Sequence, residues 1–337
     1  ALRCGLGFGG AARAMAIIMR AINNPDVIER TAVRADVGAV AIALIGYLLI
    51  TSIATIIMVI FTALKLGGAV YPAASGVGLL FIWLILRGSL RLSDVFEETR
   101  EMPGRVMRNA VFCVAGLQPI FMFVGQGITA LFENAGYTID LSNFDPGSDG
   151  VVFIIINLVV AKPIVEGVLF RGVVLRVLSA YGRNFAIVAS AVLFGLYQGN
   201  ILQIGYAFCA GLILGYITFR YSIKYAIILH AIHNGLMVGV SYLAPHVPGL
   251  AIYALWCVFL VGMIVVAVKK WAKVKRFLDR GRTRANAWRH TFGVPWLLLY
   301  IAITIVITGV QLDVKPIGSV SKYPPPLVPE KWGFNEQ

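Results

Sequence analysis

Long apolar runs alternate with short polar segments along this chain. The runs lie near residues 36–64, 69–88, 107–131, 151–178, 185–202, 204–220, 224–243, 250–268 and 292–310. An apolar run of about 18 or more residues is typical of a membrane-spanning helix. The pattern therefore predicts an all-α fold, a polytopic helical membrane protein with about nine transmembrane helices.

The composition supports the same class of protein. Hydrophobic residues make up 59% of the 337 residues, charged residues make up 13%, and the mean hydropathy is +0.82. A soluble domain carries about a quarter charged residues. The 4 cysteines are widely spaced, so neither a disulfide framework nor a cysteine metal site is predicted.

The net charge of +13 is concentrated in loops between the apolar runs. This distribution is typical of the Lys and Arg bias of cytoplasmic loops, and it argues against nucleic acid as a partner. Basic residues dominate the segment before the first run and the loops at 87–108 and 269–290, whereas the 132–150 loop has acidic residues and no Lys or Arg. We therefore predict a multi-pass protein of the cell membrane with a cytoplasmic N-terminus and an external C-terminus.

Both ends of the chain carry recognisable segments. The stretch GAARAMAIIMRAI places Arg13 and Arg20 two helical turns apart, which predicts an amphipathic helix at the membrane interface. The tail SKYPPPLVPEKWGFNEQ is rich in proline, and we expect it to be extended.

Charged residues occur inside the fourth apolar run. A charged side chain at mid-bilayer costs roughly 2.5–3.5 kcal/mol, so such residues face the bundle interior and are candidates for function. Lys162 and Glu166 are four residues apart and share a helix face, which allows a neutralising pair without any catalytic role. Arg171 lies about 140° around an α-helix from Glu166, so a direct pair between them is not expected.

Polar residues also interrupt the fifth and seventh runs. In the fifth, Phe194 and Gln198 are four residues apart, and a Gln in such a helix often only links two helices. In the seventh, His230, His233 and Asn234 share one face. From the predicted topology, His230 and Glu166 lie at similar depth in the inner leaflet.

These three segments resemble the motifs of the CPBP family, also called the Abi or CAAX-protease family, whose members carry EExxxR, FxxxH and HxxxN in that order. EGVLFR (Glu166 to Arg171) is similar to the first motif, with Gly167 in place of the second Glu. FGLYQ (Phe194 to Gln198) is similar to the second, with Gln198 in place of the His, and HAIHN (His230 to Asn234) matches the third.

The resemblance implies an intramembrane protease, a CAAX prenyl endopeptidase-like hydrolase that acts on a peptide or lipidated peptide without a cofactor. By position, Glu166 and Gln198 hold and activate a water, while His230 and Asn234 stabilise the oxyanion. The supporting residues are Arg171, Phe194 and His233. Because a Gln amide cannot take up a proton, Glu166 is expected to act as the only base.

The sequence leaves other functions open. The Gln198 and Gly167 departures are compatible with a catalytically inactive CPBP homologue that serves as a membrane scaffold or a bacteriocin self-immunity protein. Intramembrane polar residues also occur in transporters, although no repeat or paired broken helices support that class. No metal is predicted, and the weaker zinc alternative uses Glu166, His230 and His233.

The resemblance also implies a division of the chain. Residues 1–106 form an N-terminal amphipathic segment with two transmembrane helices. Residues 107–268 form the CPBP-type protease core. Residues 269–337 form a basic cytoplasmic loop, the last transmembrane helix and the proline-rich tail.

Overall fold

The computed structural model describes most of the chain. The described residues are 24–61, 70–86, 95–96, 100–140, 151–281, 283 and 286–316. The predicted interfacial helix around Arg13 and Arg20 and the proline-rich tail after residue 316 lie outside these residues.

The described residues are almost entirely helical, and we number the helices in chain order. They are α1 (Pro25–Phe61), α2 (Val70–Leu86), α3 (Gly104–Asn134), α4 (residues 151–178), α5 (Arg183–Tyr197), α6 (Ile201–Arg220), α7 (Ile223–Leu243), α8 (Gly249–Asp279), α9 (Ala287–Thr291) and α10 (Pro295–Gln311). Short 3₁₀ turns at Ser179–Tyr181 and Ala244–His246 follow α4 and α7.

Each predicted apolar run falls on a helix, and together they occupy every described helix except the short α9. Five helical stretches are long and apolar enough to cross a membrane: Asp26–Ile57, Gly104–Asn134, Ile201–Arg220, Ile223–His246 and Gly249–Asp279. Apolar side chains on their outer faces are exposed, as Val258, Val261 and Ile264 are on α8. An exposed apolar surface of this extent fits lipid rather than water. The prediction of a polytopic helical membrane protein is confirmed.

Two short strands were not predicted from the sequence. β1 (Tyr137–Asp140) follows α3, and β2 (Asp313–Pro316) follows α10. They pair antiparallel, with Thr138 opposite Lys315 and Ile139 opposite Val314. The pairing brings the ends of α3 and α10 to the same side of the bundle, where the predicted topology places both.

The short turns around α5 and α6 are set by glycine and by capping side chains. Gly182 and Gly199 have φ of 114° and 60°, values that favour glycine, and each lies at an end of α5. The side chain of Asn200 accepts a hydrogen bond from the backbone N–H of Leu202 at 2.9 Å and caps the start of α6. These turns make α4, α5 and α6 neighbours and place their polar residues close together.

The packing of α6 on α5 depends on small residues of α6. A Cβ added at Gly211 would lie 3.0 Å from the Cβ of Ala191, and one at Gly215 would lie 3.2 Å from Ile187. Ala207 is also buried. Small residues at this spacing allow two helices to approach closely.

The terminal helices pack on the central ones and share a single hydrophobic core with them. Val40 and Leu44 of α1, Leu169 of α4 and Phe185 of α5 belong to one buried cluster. The hydroxyl of Tyr300, on α10, donates to the carbonyl oxygen of Leu193 at 3.1 Å. Helices before and after the central region therefore form part of the walls around it.

Gly116 provides a test of the contact between α3 and α8. A Cβ at this position would lie 2.6 Å from the Cβ of Met263 and 2.7 Å from the carbonyl oxygen of Phe259. We expect Gly116→Ala to lower the free energy of unfolding by about 1–3 kcal/mol, because overpacking separates the helices. Thermal unfolding of the purified protein in detergent measures this loss.

The matched control is Gly127→Ala on the same helix, where an added Cβ has no atom within 4 Å. Both changes gain the same helix propensity, so only the packing differs. Equal melting temperatures for the two variants would contradict the close α3–α8 contact.

Candidate active site

Helix α4 carries the first candidate motif, and its backbone is not a regular α-helix. Its α-helical parts, Val151–Ile154, Lys162–Glu166 and Leu175–Leu178, alternate with π-helical segments at Ile155–Ala161 and Gly167–Val174. In a π-helix the hydrogen bonds run from residue i to i+5, as between the N–H of Leu175 and the carbonyl oxygen of Phe170. Residues five apart therefore come onto one face.

This geometry changes the angle estimated for Arg171 but not the prediction that it forms no direct pair with Glu166, since no such ion pair is present among the described residues. The α-helical estimate placed Arg171 about 140° away from Glu166, but the π-helical segment brings both side chains to the same small void. Arg171 is only 2% exposed. Its guanidinium lies 4.5 Å from the centre of the Phe194 ring and has no hydrogen-bond partner among the described residues.

Glu166 is the buried carboxylate of the site, with 2% of its surface exposed. Its Oε1 lies 3.7 Å from Nζ of Lys162, and its Oε2 lies 3.7 Å from Nε2 of His230. The neutralising pair that the sequence allowed is thus present. The proximity of Glu166 and His230, which rested only on estimates of depth, is also observed.

Gln198 reaches the same group of side chains from the end of α5. Its Oε1 accepts a hydrogen bond from Nζ of Lys162 at 3.4 Å, and its amide is a polar neighbour of the Glu166 carboxylate. Lys162 therefore connects Glu166 with Gln198. The sequence singled out Lys162 only as a charge partner.

Phe194 packs against two of the polar side chains of the site. Its ring contacts Arg171 on one side and lies edge-to-face with His230, with ring centres 6.0 Å apart. It also packs against Phe170 with a centre-to-centre distance of 5.2 Å. The arrangement fixes the relative positions of a cation and an imidazole around one aromatic ring.

The space among these side chains is small. The void is lined by Glu166, Gly167, Arg171, Phe194, Leu214, Ala226 and His230, and it is too small to admit a water molecule. The void must therefore widen before a water molecule can occupy it.

Gly167 is explained by the neighbouring helix. A Cβ at this position would collide with Cγ1 of Ile227 on α7. A second Glu at position 167 would thus force α4 and α7 apart or displace Ile227. The close approach of α4 and α7 at this point therefore depends on Gly167.

His233 and Asn234 lie on α7 near the site but are engaged elsewhere. Nε2 of His233 is 2.7 Å from the Tyr206 hydroxyl, and the two rings stack with centres 5.0 Å apart. The Nδ2 of Asn234 donates to the carbonyl oxygen of Leu158 at 2.7 Å. The structure thus brings together the side chains of Glu166, Gln198, His230, Arg171 and Phe194, and it holds His233 and Asn234 at the edge.

Glu166, His230 and His233, the ligands of the alternative zinc site, are not grouped around one point. Among the described residues no group of three or more His, Cys, Asp or Glu is placed to hold a metal ion. Glu166 and His230 are neighbours, but Nε2 of His233 faces Tyr206.

Tyr47 of α1 is a residue near the site that motif reasoning missed. It is 1% exposed, its hydroxyl lies near Ser75 and Tyr197, and it is within electrostatic range of Glu166. Nothing in the apolar first run distinguishes Tyr47 from an ordinary lipid-facing or core tyrosine. Its position shows that α1 and α2 form part of the surroundings of the site.

The His233–Tyr206 contact gives a prediction about stability. Tyr206→Phe removes the hydroxyl and leaves Nε2 of a buried imidazole without this partner, which costs about 1–3 kcal/mol of unfolding free energy. We expect a lower melting temperature in detergent. His233→Ala should lower the melting temperature less in the Tyr206→Phe protein than it does in the unchanged protein.

Tyr216→Phe on the same helix is the control, because its half-buried ring loses a hydroxyl outside this contact. A Tyr206→Phe protein as stable as Tyr216→Phe would show that the hydrogen bond contributes nothing.

Comparison with known proteins supports the family interpretation of this region. Comparisons with curated proteins and with solved structures give no match. Residues 148–236 match the family model described as Type II CAAX prenyl endopeptidase Rce1-like. This segment includes Glu166, Gln198, His230 and Asn234. Residues 148–236 are therefore similar to the Rce1-like type II CAAX prenyl endopeptidases, and the resemblance to the CPBP family is confirmed over this segment.

Proposed function

We propose that the chain is an intramembrane endopeptidase of the CAAX-protease type that uses Glu166 to activate water. The observation that carries this proposal is the position of Glu166. It is a carboxylate sealed among apolar helices, with His230 at 3.7 Å, within the segment that matches the Rce1-like family. Charged groups at such depth are costly and are retained where they act.

The proposed reaction starts with a water held between Glu166 and Gln198. The carboxylate takes one proton as the water oxygen attacks the scissile carbonyl carbon, and an oxyanion forms on the carbonyl oxygen. The proton then passes from Glu166 to the leaving nitrogen as the C–N bond breaks. The Gln198 amide orients the water, since it can donate and accept hydrogen bonds but cannot hold the proton.

His230 is the donor best placed for the oxyanion. It lies beside Glu166 and against Phe194, so its ring is fixed before substrate arrives. Preorganised donors in a water-excluded site contribute about 2.7–4 kcal/mol each to transition-state stabilisation. Asn234 can join His230 only after it exchanges its bond to Leu158 for one to the substrate.

The proposed substrate is a peptide or a lipidated peptide that enters from the inner leaflet. Basic loops flank the bundle on the side predicted to be cytoplasmic, and in that orientation the site lies in the inner half of the membrane. Entry must widen the void and separate Lys162 from Glu166, because the ammonium group partly neutralises the base in the closed site.

Glu166→Gln tests the role of the carboxylate. The change keeps the size of the side chain but removes the ability to accept a proton, so we expect proteolysis to fall below detection. Cleavage of a quenched fluorescent peptide library by purified protein in lipid nanodiscs measures the activity, and size-exclusion chromatography checks the fold.

Glu133→Gln is the matched control, because Glu133 is an exposed carboxylate at the end of α3. It should cleave like the unchanged protein. Normal cleavage by a well-folded Glu166→Gln protein would rule out the general-base assignment.

A second candidate function is an inactive relative that binds a membrane partner or confers immunity to a peptide toxin. Two observations favour it: Gln198 replaces the family His, and Lys162 lies against both Glu166 and Gln198. A base paired with an ammonium group in a closed void is a poor proton acceptor until the pair separates.

Gln198→His distinguishes the two candidates. If the chain is an inactive relative, the unchanged protein should not cleave the library and Gln198→His should gain activity, because an imidazole restores a second proton-accepting group near the carboxylate. If the chain is a protease, the unchanged protein should already cleave.

The control for an added histidine is Gln203→His on α6, where the side chain is exposed. It should leave cleavage unchanged in either case. Cleavage that appears equally in Gln203→His and Gln198→His would contradict a role for position 198.

A further inference from the structure

A second and much larger cavity lies apart from the Glu166 site. Its volume is about 1070 Å³, and it is a partly open space bordered by α3, α5, α6 and α8. None of the residues that line the void at Glu166 also lines this cavity. On α6 the two spaces lie on different faces, with Ile213 lining the large cavity and Leu214 lining the void.

The interior of the large cavity is apolar. Val106 and Cys113 of α3, Ile187 of α5, Ile213 of α6 and Val266 of α8 contribute to its wall. A cavity of this size can take a ligand of several hundred Å³, since sites of about 300–1,000 Å³ hold typical small molecules. The wall offers such a ligand few hydrogen bonds, so the enclosed part of the ligand must itself be apolar.

The mouth of the cavity is basic. Eight of the lining residues are Arg or Lys, and none of the lining residues that the structure describes is Asp or Glu. Four of them project from the end of α8 and the residue after it, namely Lys270, Lys273, Arg276 and Arg280, and all four are exposed. These cations lie close together, and no Asp or Glu lines the cavity among the described residues. Their mutual repulsion favours the binding of an anionic ligand.

The walls of the cavity are held in place by contacts that leave most of these cations available to a ligand. Arg183 of α5 lies 3.6 Å from the centre of the Phe277 ring and donates to the carbonyl oxygen of Phe277. Asn184 donates to the carbonyl oxygen of Leu278 at 2.7 Å. These contacts fasten the end of α8 to the start of α5, so the apolar interior and the basic mouth keep their relative positions.

We propose that this cavity binds an anionic phospholipid, with an acyl chain in the apolar interior and the phosphate group at the basic mouth. A phosphate oxygen pairs well with Arg and Lys, and an acyl chain fits a wall that offers few polar partners. A soluble phosphate compound would leave the apolar interior unfilled. An uncharged lipid would leave the Arg and Lys side chains without an anion to pair with. Basic pockets between transmembrane helices are suited to lipid headgroups of this kind.

The position of the mouth agrees with this ligand. The basic end of α8 leads into the loop that the charge pattern predicts to be cytoplasmic. Anionic lipids give the cytoplasmic leaflet a negative surface potential that attracts such residues. The bound lipid would then join α3, α5, α6 and α8 on the side from which the proposed peptide substrate enters.

Native mass spectrometry of the purified full chain, mixed with phosphatidylglycerol or with phosphatidylcholine of the same acyl chains, tests the proposal. We expect the protein to retain phosphatidylglycerol preferentially. Lys270→Gln combined with Lys273→Gln should weaken its retention by about thirtyfold, given the contribution of each surface cation to anionic-lipid binding. Ile213→Trp, which fills the interior without changing charge, should also abolish retention.

The matched control is Lys269→Gln combined with Lys275→Gln, which removes two exposed cations of α8 that do not line the cavity. It should retain phosphatidylglycerol like the unchanged protein. Equal retention of the two lipids, or an equal loss in the control, would overturn the proposal. Displacement of the lipid by inorganic phosphate in large excess would overturn it as well, and would indicate an ion site.

Discussion

A carboxylate buried among apolar helices loses the hydration that stabilises its charge, and the surrounding residues must replace it. Around Glu166 the neighbouring groups are Lys162 on the same helix, His230 on α7 and Arg171 one π-helical turn away. Neither carboxylate oxygen has a hydrogen-bond partner among the described residues, so nearby charge rather than hydrogen bonding offsets the lost hydration. Arg171 is itself buried and depends on the Phe194 ring and on the negative charge of Glu166. The polar site and the packing of α4, α5 and α7 are therefore a single arrangement, because α4 carries the charged residues while α5 supplies Phe194 and Gln198 and α7 supplies His230.

The helices that carry the polar site approach one another closely. Gly167 lets α4 contact Ile227 of α7, and the small residues of α6 let it lie against α5. Helices α1 and α2 complete the enclosure, and the Tyr47 ring of α1 packs on Tyr197 at the end of α5 with ring centres 6.1 Å apart. The matched segment, residues 148–236, thus depends on helices outside it for the dry surroundings of Glu166.

Much of this could be predicted from the sequence. The apolar runs located the helices because membrane insertion demands length and hydropathy, and the order of three weak motifs located Glu166, Gln198 and His230. The position of Arg171 could not be predicted, since helical spacing was taken as α-helical and no residue pattern marks the π-helical segment at Gly167–Val174. The contacts of His233 and Asn234 with other helices could not be predicted either, because residues on one helix face can still turn to different neighbours.

In the proposed function, Glu166 activates the water that is added to the substrate. The most direct measurement is mass spectrometry of peptides cleaved in ¹⁸O-labelled water by the protein in nanodiscs, beside the Glu166→Gln variant. We expect each new C-terminal carboxyl to carry ¹⁸O from the solvent, and both cleavage and label to vanish in the variant. Labelled products from a folded Glu166→Gln protein, or no cleavage by the unchanged protein, would contradict this proposal.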